Sequence, residues 1–234
     1  RSFEMLAYSL ISCRTLREVL TRAERFAPLM KTLLGYQIRF ERVGDRVNLH
    51  YCLEPSGGRA VFAPDSWDRQ LSFDSVTRVS GLLAWRNFCG WLVGRSLDLI
   101  EVRIAGAHVS DAYANSKRQV FQCPVQFDAQ DSLIVFEAQC LDYRLVHNND
   151  SLSDFLSDAV YQLMVDTHSP ASTSAAIKSL MSADFSRNGL PSIQSIAEYL
   201  HISESSLRRR LLKEGVSYQE LKDDFRRELA VQYL

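Results

Sequence analysis

The segment that decides the fold is residues 192–213, which read SIQSIAEYLHISESSLRRRLLK. Its first half spaces apolar side chains three or four residues apart, as on one helical face: Ile193, Ile196, Ala197 and Leu200. Its second half repeats that spacing with Leu207 and Leu211, and Ser203 stands where it can cap a new helix. The segment therefore predicts two short helices that are joined by a tight turn and packed through these apolar side chains.

The second of these helices presents a polar and basic face to the outside. The side chains on that face are Ser205, Ser206, Arg209 and Lys213, with Arg208 and Arg210 on its flanks. Between residues 203 and 213 three arginines and one lysine stand against a single acid, Glu204, which gives a local charge of +3. Such groups bind phosphates and the acceptors of guanine. A solvated basic helix on an ordinary bundle would carry the same charge, but the preceding helix, the turn and the serine cap favour a helix-turn-helix.

Residues 191–234 resemble the first half of the DNA-binding domain of AraC/XylS-type transcriptional regulators. The matching motifs are Ser-Ile-x-x-Ile-Ala-x-x-Leu (192–200), Ile-Ser-x-x-x-Leu-x-Arg-x-Leu (202–211), Gly215-Val216-Ser217 and Arg226-x-x-x-Ala230. The resemblance implies a regulator, expected to be an activator, that binds double-stranded DNA and works with RNA polymerase. It assigns base readout to Ser205, Arg208 and Arg209, and phosphate contacts to Ser203, Ser206 and Lys213.

Regulators of this type carry a second helix-turn-helix beyond a linker helix. The linker helix is expected here at residues 217–234, because Ser217 and Glu220 form a capping box ahead of an apolar stripe. The chain ends at Leu234, inside that helix. We therefore expect a regulator that is truncated after the first helix-turn-helix.

The front of the chain mixes helical and strand patterns. A capping box of Thr15 and Glu18 predicts one helix that runs to about Leu34 and is stopped by Gly35. Alternating apolar residues predict a hairpin over 36–53, which is closed by Gly44-Asp45. The other predicted elements are a long buried helix over 73–94, a strand through 97–104, a short helix after Gly106 and a second hairpin with arms at 125–127 and 133–137.

These patterns predict an α+β fold with two parts. A mixed α/β domain is expected over residues 1–147, followed by a connecting helix over 148–170. An all-α helix-turn-helix subdomain with its linker helix is expected over 171–234. Residues 1–170 carry a net charge of −2 and residues 171–234 a net charge of +1. The basic charge is thus confined to one helix, as in sequence-reading proteins.

The front domain also resembles a known family. Leu6-Ala7-Tyr8 and Leu16-x-x-Val19-Leu20 are similar to the opening of the arabinose-binding type N-terminal domain found in some AraC relatives. Cys123-Pro124-Val125-Gln126-Phe127, with Leu133 and Phe136 after it, is similar to the end of that domain. The resemblance covers residues 5–145 and implies a domain that senses a small-molecule effector and forms a homodimer.

An effector pocket needs apolar walls and a few converging polar groups. By composition the candidates are Arg39, Tyr51, Trp67, Arg86, His108 and Tyr113, with Trp85 as a further candidate. Plain core packing is the more frequent role for a tryptophan such as Trp85. The sequence does not identify the effector.

Composition excludes several other classes of protein. The net charge of −1 does not fit a general polyanion binder, and no apolar run approaches the roughly 20 residues of a membrane span. The five cysteines are odd in number and widely spaced, which argues against a zinc site or a disulfide framework and favours a reducing cytoplasm. No glycine-rich phosphate loop or paired histidines are present, so we expect neither an enzyme nor a cofactor or metal.

Two alternatives stay open at this point. Cys52 lies within an alternating strand pattern and could serve a redox-responsive regulator. The basic helix could instead belong to an interaction module that binds an acidic protein and never contacts DNA. The interpretation that the motifs favour is a ligand-responsive, sequence-specific DNA-binding transcriptional regulator.

Overall fold

The computed structural model describes residues 2–53, 72–157, 159–164, 173–174, 177–178, 181, 190–200 and 202–232. Its helices are α1 (Ser2–Leu10), α2 (Leu16–Arg25), α3 (Ala27–Leu34), α4 (Ser72–Val93), α5 (Asp111–Phe121), α6 (Asn149–Ser157), α7 (Ala159–Met164), α8 (Ile193–Tyr199), α9 (Glu204–Lys213) and α10 (Tyr218–Gln232). Its strands are β1 (Tyr36–Val43), β2 (Arg46–Leu53), β3 (Leu99–Arg103), β4 (Val125–Gln126) and β5 (Leu133–Glu137). A 3₁₀ helix spans Ala138–Asp142. The fold is α+β, as predicted.

The strands form one sheet in the order β1-β2-β5-β3-β4. β1 and β2 are the predicted hairpin, and Gly44 closes it with a φ of +61°, a conformation that glycine adopts without strain. β5 is antiparallel to both β2 and β3, whereas β4 pairs with β3 in parallel. The predicted hairpin between β4 and β5 is therefore wrong, because β3 lies between these two strands.

The loop after β4 explains this topology. Asp128 has a φ of 55°, and its N–H donates to the carbonyl of Gly106 at 3.0 Å. The N–H of Ala129 donates to the carbonyl of Ile104 at 3.0 Å. These two bonds hold the loop to the end of β3, so the chain re-enters the sheet on the other side of that strand. Alternation of apolar residues defines the faces of a strand but not its partner.

A second correction concerns the first predicted helix. Instead of one helix to Leu34, the structure has the two helices α2 and α3. Phe26 is both the C-cap residue of α2 and the N-cap residue of α3. Pro28 stands in the first turn of α3, where its missing N–H is tolerated, but it cannot continue the hydrogen bonding of α2. The predicted stop at Gly35 is confirmed, and this glycine has a φ of 72°.

The helix α4 packs against β2 and β5 on one side and against α7 on another. Its Gly81 lies against the ring of Tyr51, because a Cβ at Gly81 would come within 2.2 Å of the Tyr51 Cζ. The Tyr51 ring also packs on Tyr36, with 4.8 Å between the centroids. Trp85 on α4 is buried beside Phe88, with ring centroids 6.2 Å apart, so core packing describes its surroundings.

The buried apolar residues form two cores. The first joins α1–α5, the sheet and α6, and it includes Leu163 of α7. The members of the second are Tyr161, Met164, Ile177, Met181, Ile196, Ala197, Leu200, Leu207, Leu211, Tyr218, Leu221 and Phe225. α7 thus contributes to both cores. The predicted domains and their boundaries at residues 147 and 170 stay predictions.

Candidate nucleic-acid interface and effector site

The two predicted helices of the motif are α8 and α9. Ser192 caps α8 by accepting the N–H of Ser195 at 3.0 Å, and Ser203 caps α9 by accepting the N–H of Ser206 at 3.1 Å. The turn between them is held by the N–H of Ile202, which donates to the carbonyl of Ala197 at 3.0 Å. The side chains buried between the helices are Ile196, Ala197, Leu200, Leu207 and Leu211. The structure therefore forms a helix-turn-helix at this segment.

The outer face of α9 carries the residues that the family resemblance assigned to base readout. Ser205, Arg208 and Arg209 are all exposed. The guanidinium of Arg208 donates twice to Glu204 Oε1, at 2.9 and 2.7 Å, so part of its hydrogen-bonding capacity is already used. In the part of the chain that the structure describes, no hydrogen bond or ion pair holds Arg209. Of the two arginines, Arg209 is the one that has no acceptor among the described residues.

The predicted phosphate contacts lie at the start and end of the same helix. Ser203 is exposed, but its Oγ is the helix cap and also lies 3.0 Å from Ser205 Oγ and 2.9 Å from Ser206 Oγ. Lys213 is exposed in the last turn of α9. The three serines thus form one hydroxyl cluster at the positive end of the helix dipole, a place that suits an anion.

The sequence analysis did not single out Leu212. The side chain of Leu212 lies on α9 and is 77% exposed, which is unusual for a leucine. It is four residues from Arg208 and seven from Ser205, so it shares their face of α9. The signal was present in the sequence as a leucine that falls outside the buried spacing of Leu207 and Leu211.

The helix α10 is fixed behind this pair. Ser217 and Glu220 form the predicted capping box, in which the Ser217 N–H donates to Glu220 Oε2 at 2.6 Å. That bond and the Ser217 hydroxyl lower the pKa of the Glu220 carboxyl. The hydroxyl of Tyr218 donates to the carbonyl of Pro191, just before α8, and burial raises the pKa of Tyr218 to about 12. α8, α9 and α10 are thus tied into one unit.

The residues predicted for the effector pocket are dispersed. Arg39 is exposed on β1, and Trp67 lies outside the described residues. Tyr51 is buried under α4, and burial raises the pKa of its phenol. Arg86 is buried and donates to Ser96 Oγ at 2.9 Å.

His108 and Tyr113 are the two pocket candidates that share a neighbour. Their rings lie 5.9 and 6.0 Å from that of Phe127, measured between centroids. The imidazole of His108 is exposed and lies 3.2 Å from Asp111, whereas Tyr113 is fully buried. The assignment of all these residues to an effector site stays a prediction.

A cavity of about 240 Å³ lies at a different place, between α1 and α3. Its lining consists of Met5, Leu6, Phe26, Leu29, Met30, Leu33 and Leu34. These side chains are all apolar and none belongs to the predicted set. The volume is slightly below the roughly 300–1,000 Å³ of typical small-molecule pockets. The cavity therefore suits an apolar molecule or the apolar part of a larger one.

Beside Tyr113 lies a buried lysine that the sequence analysis did not single out. Lys117 on α5 is 7% exposed, and its Nζ lies 4.6 Å from the centroid of the Tyr113 ring. Desolvation lowers its pKa from 10.5 to about 7, because burial disfavours the charged ammonium. Near neutral pH the folded protein therefore holds this amine close to its point of half-protonation.

We expect Lys117→Met to change how stability depends on pH. Between pH 7 and 10.5 the unfolded chain binds a proton at Lys117 that the folded chain does not, so stability rises with pH there and is lost as pH falls toward 7. The slope is at most about 1.4 kcal/mol per pH unit. Urea unfolding of both proteins between about pH 6.5 and 8.5 should show this slope in the wild type alone. If the free energy of unfolding depended on pH in the same way in both proteins, the Lys117 amine would be charged in the folded state.

The cysteines are all free thiols. Burial raises the pKa of Cys89 to about 12 and that of Cys123 to about 11, which opposes formation of the reactive thiolate. Cys52, the residue of the redox alternative, is half-buried on β2. Among the described residues, no three histidine, cysteine or acidic side chains are grouped to hold a metal ion. No helix among them is both long and apolar enough to cross a membrane.

Comparison with known proteins gives three likenesses. Residues 1–145 match the family described as the arabinose-binding domain of AraC transcription regulators, at their N-terminus. The ornithine utilization regulator of Pseudomonas aeruginosa is 28% identical over 215 residues, which are 89% of this chain and 61% of that protein. The solved transcriptional regulator CdpR from Pseudomonas aeruginosa is 21% identical over 98% of this chain and 68% of its own, with a TM-score of 0.41.

The chain thus spans about three fifths of the length of the curated relative that it matches. The family match covers residues 1–145 of the 234, which is more than half of the sequence. It includes α1–α5, the whole sheet and the cavity between α1 and α3. The chain belongs to the family of AraC transcription regulators.

Proposed function

We propose that the protein binds duplex DNA sequence-specifically through α9 and activates transcription in response to a small apolar effector. The observation that carries the proposal is the two-sided character of α9. Leu207 and Leu211 are buried, whereas Ser205, Arg208 and Arg209 are exposed on the other side. A helix of this kind, held by a capped partner helix, has the dimensions and the donors to enter a major groove.

The polar groups on the outer face of α9 and at its N-terminal cap each have a proposed role. Arg209 donates to guanine acceptors, and Arg208 does so after sharing or releasing Glu204. Ser205 allows close approach and hydrogen-bonds a base edge, and Leu212 packs on a thymine methyl. Ser203, Ser206 and Lys213 bind phosphates and fix the helix in the groove.

A selection from a random duplex pool tests DNA recognition. The full chain is incubated with the pool at low salt, and bound duplexes are amplified and sequenced over several rounds. Enrichment of one motif supports sequence-specific binding. Retention of DNA without an enriched motif, or no retention even at low salt, would instead favour the interaction module that binds an acidic protein.

The effector is proposed to bind in the cavity between α1 and α3. Sugars and charged amino acids need hydrogen-bond partners, which seven apolar side chains do not supply. The arabinose of the family description and the ornithine of the relative's name are therefore poor fits to this cavity. An alkyl or aryl group would bury its surface against these side chains and gain about 25 cal/mol per Å².

Leu33→Glu is expected to weaken binding of the neutral fluorescent dye N-phenyl-1-naphthylamine by about tenfold or more. Leu33 lines the cavity and is 50% exposed, so the variant should fold, but a carboxylate beside an apolar ligand must lose hydration. Dye titration by fluorescence measures the effect. Val43→Glu is the matched control, because Val43 is an apolar residue, 58% exposed, outside the cavity lining.

Competition experiments separate the chemical classes of effector. 1-Octanol should displace the dye, whereas L-arabinose and L-ornithine should not. If either polar compound displaced the dye and 1-octanol did not, the proposed apolar effector would be wrong.

Homodimerisation, contact with RNA polymerase and a cytoplasmic location rest on the family resemblance. A dimer would place two copies of α9 on half-sites about 34 Å apart, one helical turn of DNA. Sedimentation equilibrium with and without the enriched duplex measures whether two chains assemble.

A further inference from the structure

The side of α9 that faces away from the exposed arginines makes its own polar contacts. Arg210 is half-buried, and its Cζ lies 3.6 Å from the centroid of the Tyr161 ring on α7. This is a close cation–π contact, and Tyr161 is buried, with 3% of the residue exposed. Among the described residues, Arg210 therefore differs from its neighbours Arg208 and Arg209 in having an aromatic partner.

One turn further on, Glu214 is the C-terminal cap residue of α9. One of its carboxylate oxygens accepts the N–H of Thr173 at 2.7 Å, and the other accepts the N–H of Ser174 at 2.9 Å. Both of these residues are helical. A carboxylate that accepts two backbone N–H groups forms charge-assisted bonds, which are shorter and stronger than neutral ones.

A third contact closes the set. The hydroxyl of Tyr161 lies 2.9 Å from Thr173 Oγ1, and both side chains are buried. The contacts from Arg210 through Tyr161 and Thr173 to Glu214 return to α9, where the Glu214 N–H donates to the carbonyl of Arg210 at 3.2 Å; we call these four residues the α9 clamp. Its two members on α9 are four residues apart and lie on one face of the helix.

The clamp is connected to the sensor domain through α7. The carbonyl of Leu163 accepts a hydrogen bond from Asn87 Nδ2 on α4 at 3.0 Å. Leu163 belongs to the first core, whereas Tyr161 belongs to the second. A short helix that is packed into both cores has little freedom to move in one without disturbing the other.

We propose that Arg210 and Glu214 are positioning residues for DNA recognition. They orient α9 by holding the face of the helix that carries them against α7 and residues 173–174. The proposal rests on the proposed DNA-binding function and deepens it. Arg210 then contributes to affinity by stacking on Tyr161 and not by contacting a phosphate. Any movement of α7 relative to the sensor domain would therefore change the orientation of α9.

The salt dependence of DNA binding by Arg210→Ala distinguishes positioning from phosphate binding. Lysine keeps a point charge for a phosphate and also part of the cation–π attraction to a ring, so Arg210→Lys alone does not separate the two roles. Arg210→Ala should weaken binding to the enriched duplex by about two- to thirty-fold, because it removes the contact with the ring. The slope of log affinity against log salt should stay at the wild-type value, whereas loss of a phosphate contact would reduce it by about 0.9. Unchanged affinity in Arg210→Ala, or a reduced salt slope in that variant, would overturn the proposal.

A double-mutant cycle tests the partner on α7. Arg210→Ala should weaken DNA binding in a Tyr161→Phe background by the wild-type factor, because that variant keeps the ring. In a Tyr161→Leu background Arg210→Ala should add little, because the ring is already absent. Arg118→Ala serves as the control, since Arg118 lies on α5 and donates to Asn115 within its own helix. Additive effects in both backgrounds would contradict the clamp.

Hydrogen exchange tests the clamp without DNA. Arg210→Ala and Glu214→Gln should each speed amide exchange in peptides from α9 and in those containing Thr173 and Ser174, while peptides from β1 and β2 stay unchanged. Unchanged exchange at α9 would overturn the proposal even if the wild type binds no duplex. If no duplex is enriched but exchange rises as expected, the DNA-binding proposal fails and the clamp stands.

Discussion

Arg209→Ala is expected to weaken binding to the enriched duplex by about 1–3 kcal/mol, roughly five- to 150-fold. Arg209 is the arginine of α9 that lies opposite the buried leucines, and no described contact holds its guanidinium. Its donors are therefore available for a base without first breaking a bond within the protein. Removing a base contact should also relax the preference at one base pair, which selection with the variant measures directly.

Lys213→Ala is the comparison for this experiment. As a proposed phosphate contact it should weaken enriched and scrambled duplexes alike and reduce the salt slope by about 0.9. Gel-shift titrations of both variants at several salt concentrations separate the two roles. If Arg209→Ala weakened all duplexes equally, the assignment of base readout to Arg209 would be wrong.

Leu211→Ala is expected to lower the free energy of unfolding of the helix-turn-helix unit by about 2–5 kcal/mol. Leu211 is 1% exposed and packs in the second core, so its truncation leaves a cavity between α8 and α9. A loss of this size is a large fraction of the stability of a small unit. The orientation of α9 would be lost, and DNA binding with it, while the first core should keep its structure.

The next residue in the chain is the matched control. Leu212 is 77% exposed, so Leu212→Ala should change the free energy of unfolding by no more than about 0.5 kcal/mol. Urea unfolding followed by circular dichroism compares the two variants. Retained binding of N-phenyl-1-naphthylamine by Leu211→Ala would show that the sensor is still folded. Equal destabilisation by both variants would contradict the burial that separates Leu211 from Leu212.

Local signals were enough to predict the helix-turn-helix. Serine caps, apolar spacing of three and four residues and a tight turn all act within about twenty residues, so the sequence contains the whole unit. The same holds for the β1–β2 hairpin, because the turn at Gly44 joins its strands directly. The family resemblance of the sensor domain was predicted from motifs and is confirmed by the match over residues 1–145.

The errors arose where distant parts of the chain meet. Which strand lies beside β4 depends on hydrogen bonds from its loop to β3, about twenty residues earlier in the chain, and no periodicity encodes that choice. The sequence contains Pro28, but the apolar stripe continues from α2 into α3 and therefore favoured a single helix. α1 was not predicted as a helix, so the cavity that it forms with α3 could not be anticipated. The clamp on Arg210 likewise needs Tyr161, which is far away in sequence.

The contact between Gly81 and Tyr51 has a consequence for how this family can vary. The Tyr51 ring fills the space that any larger side chain at position 81 would need, since even a Cβ would come within 2.2 Å of it. Substitutions at positions 51 and 81 are therefore coupled. We expect relatives with alanine or serine at position 81 to carry a smaller side chain at position 51, so that the pair changes together across lineages while the helix and the sheet keep the same spacing.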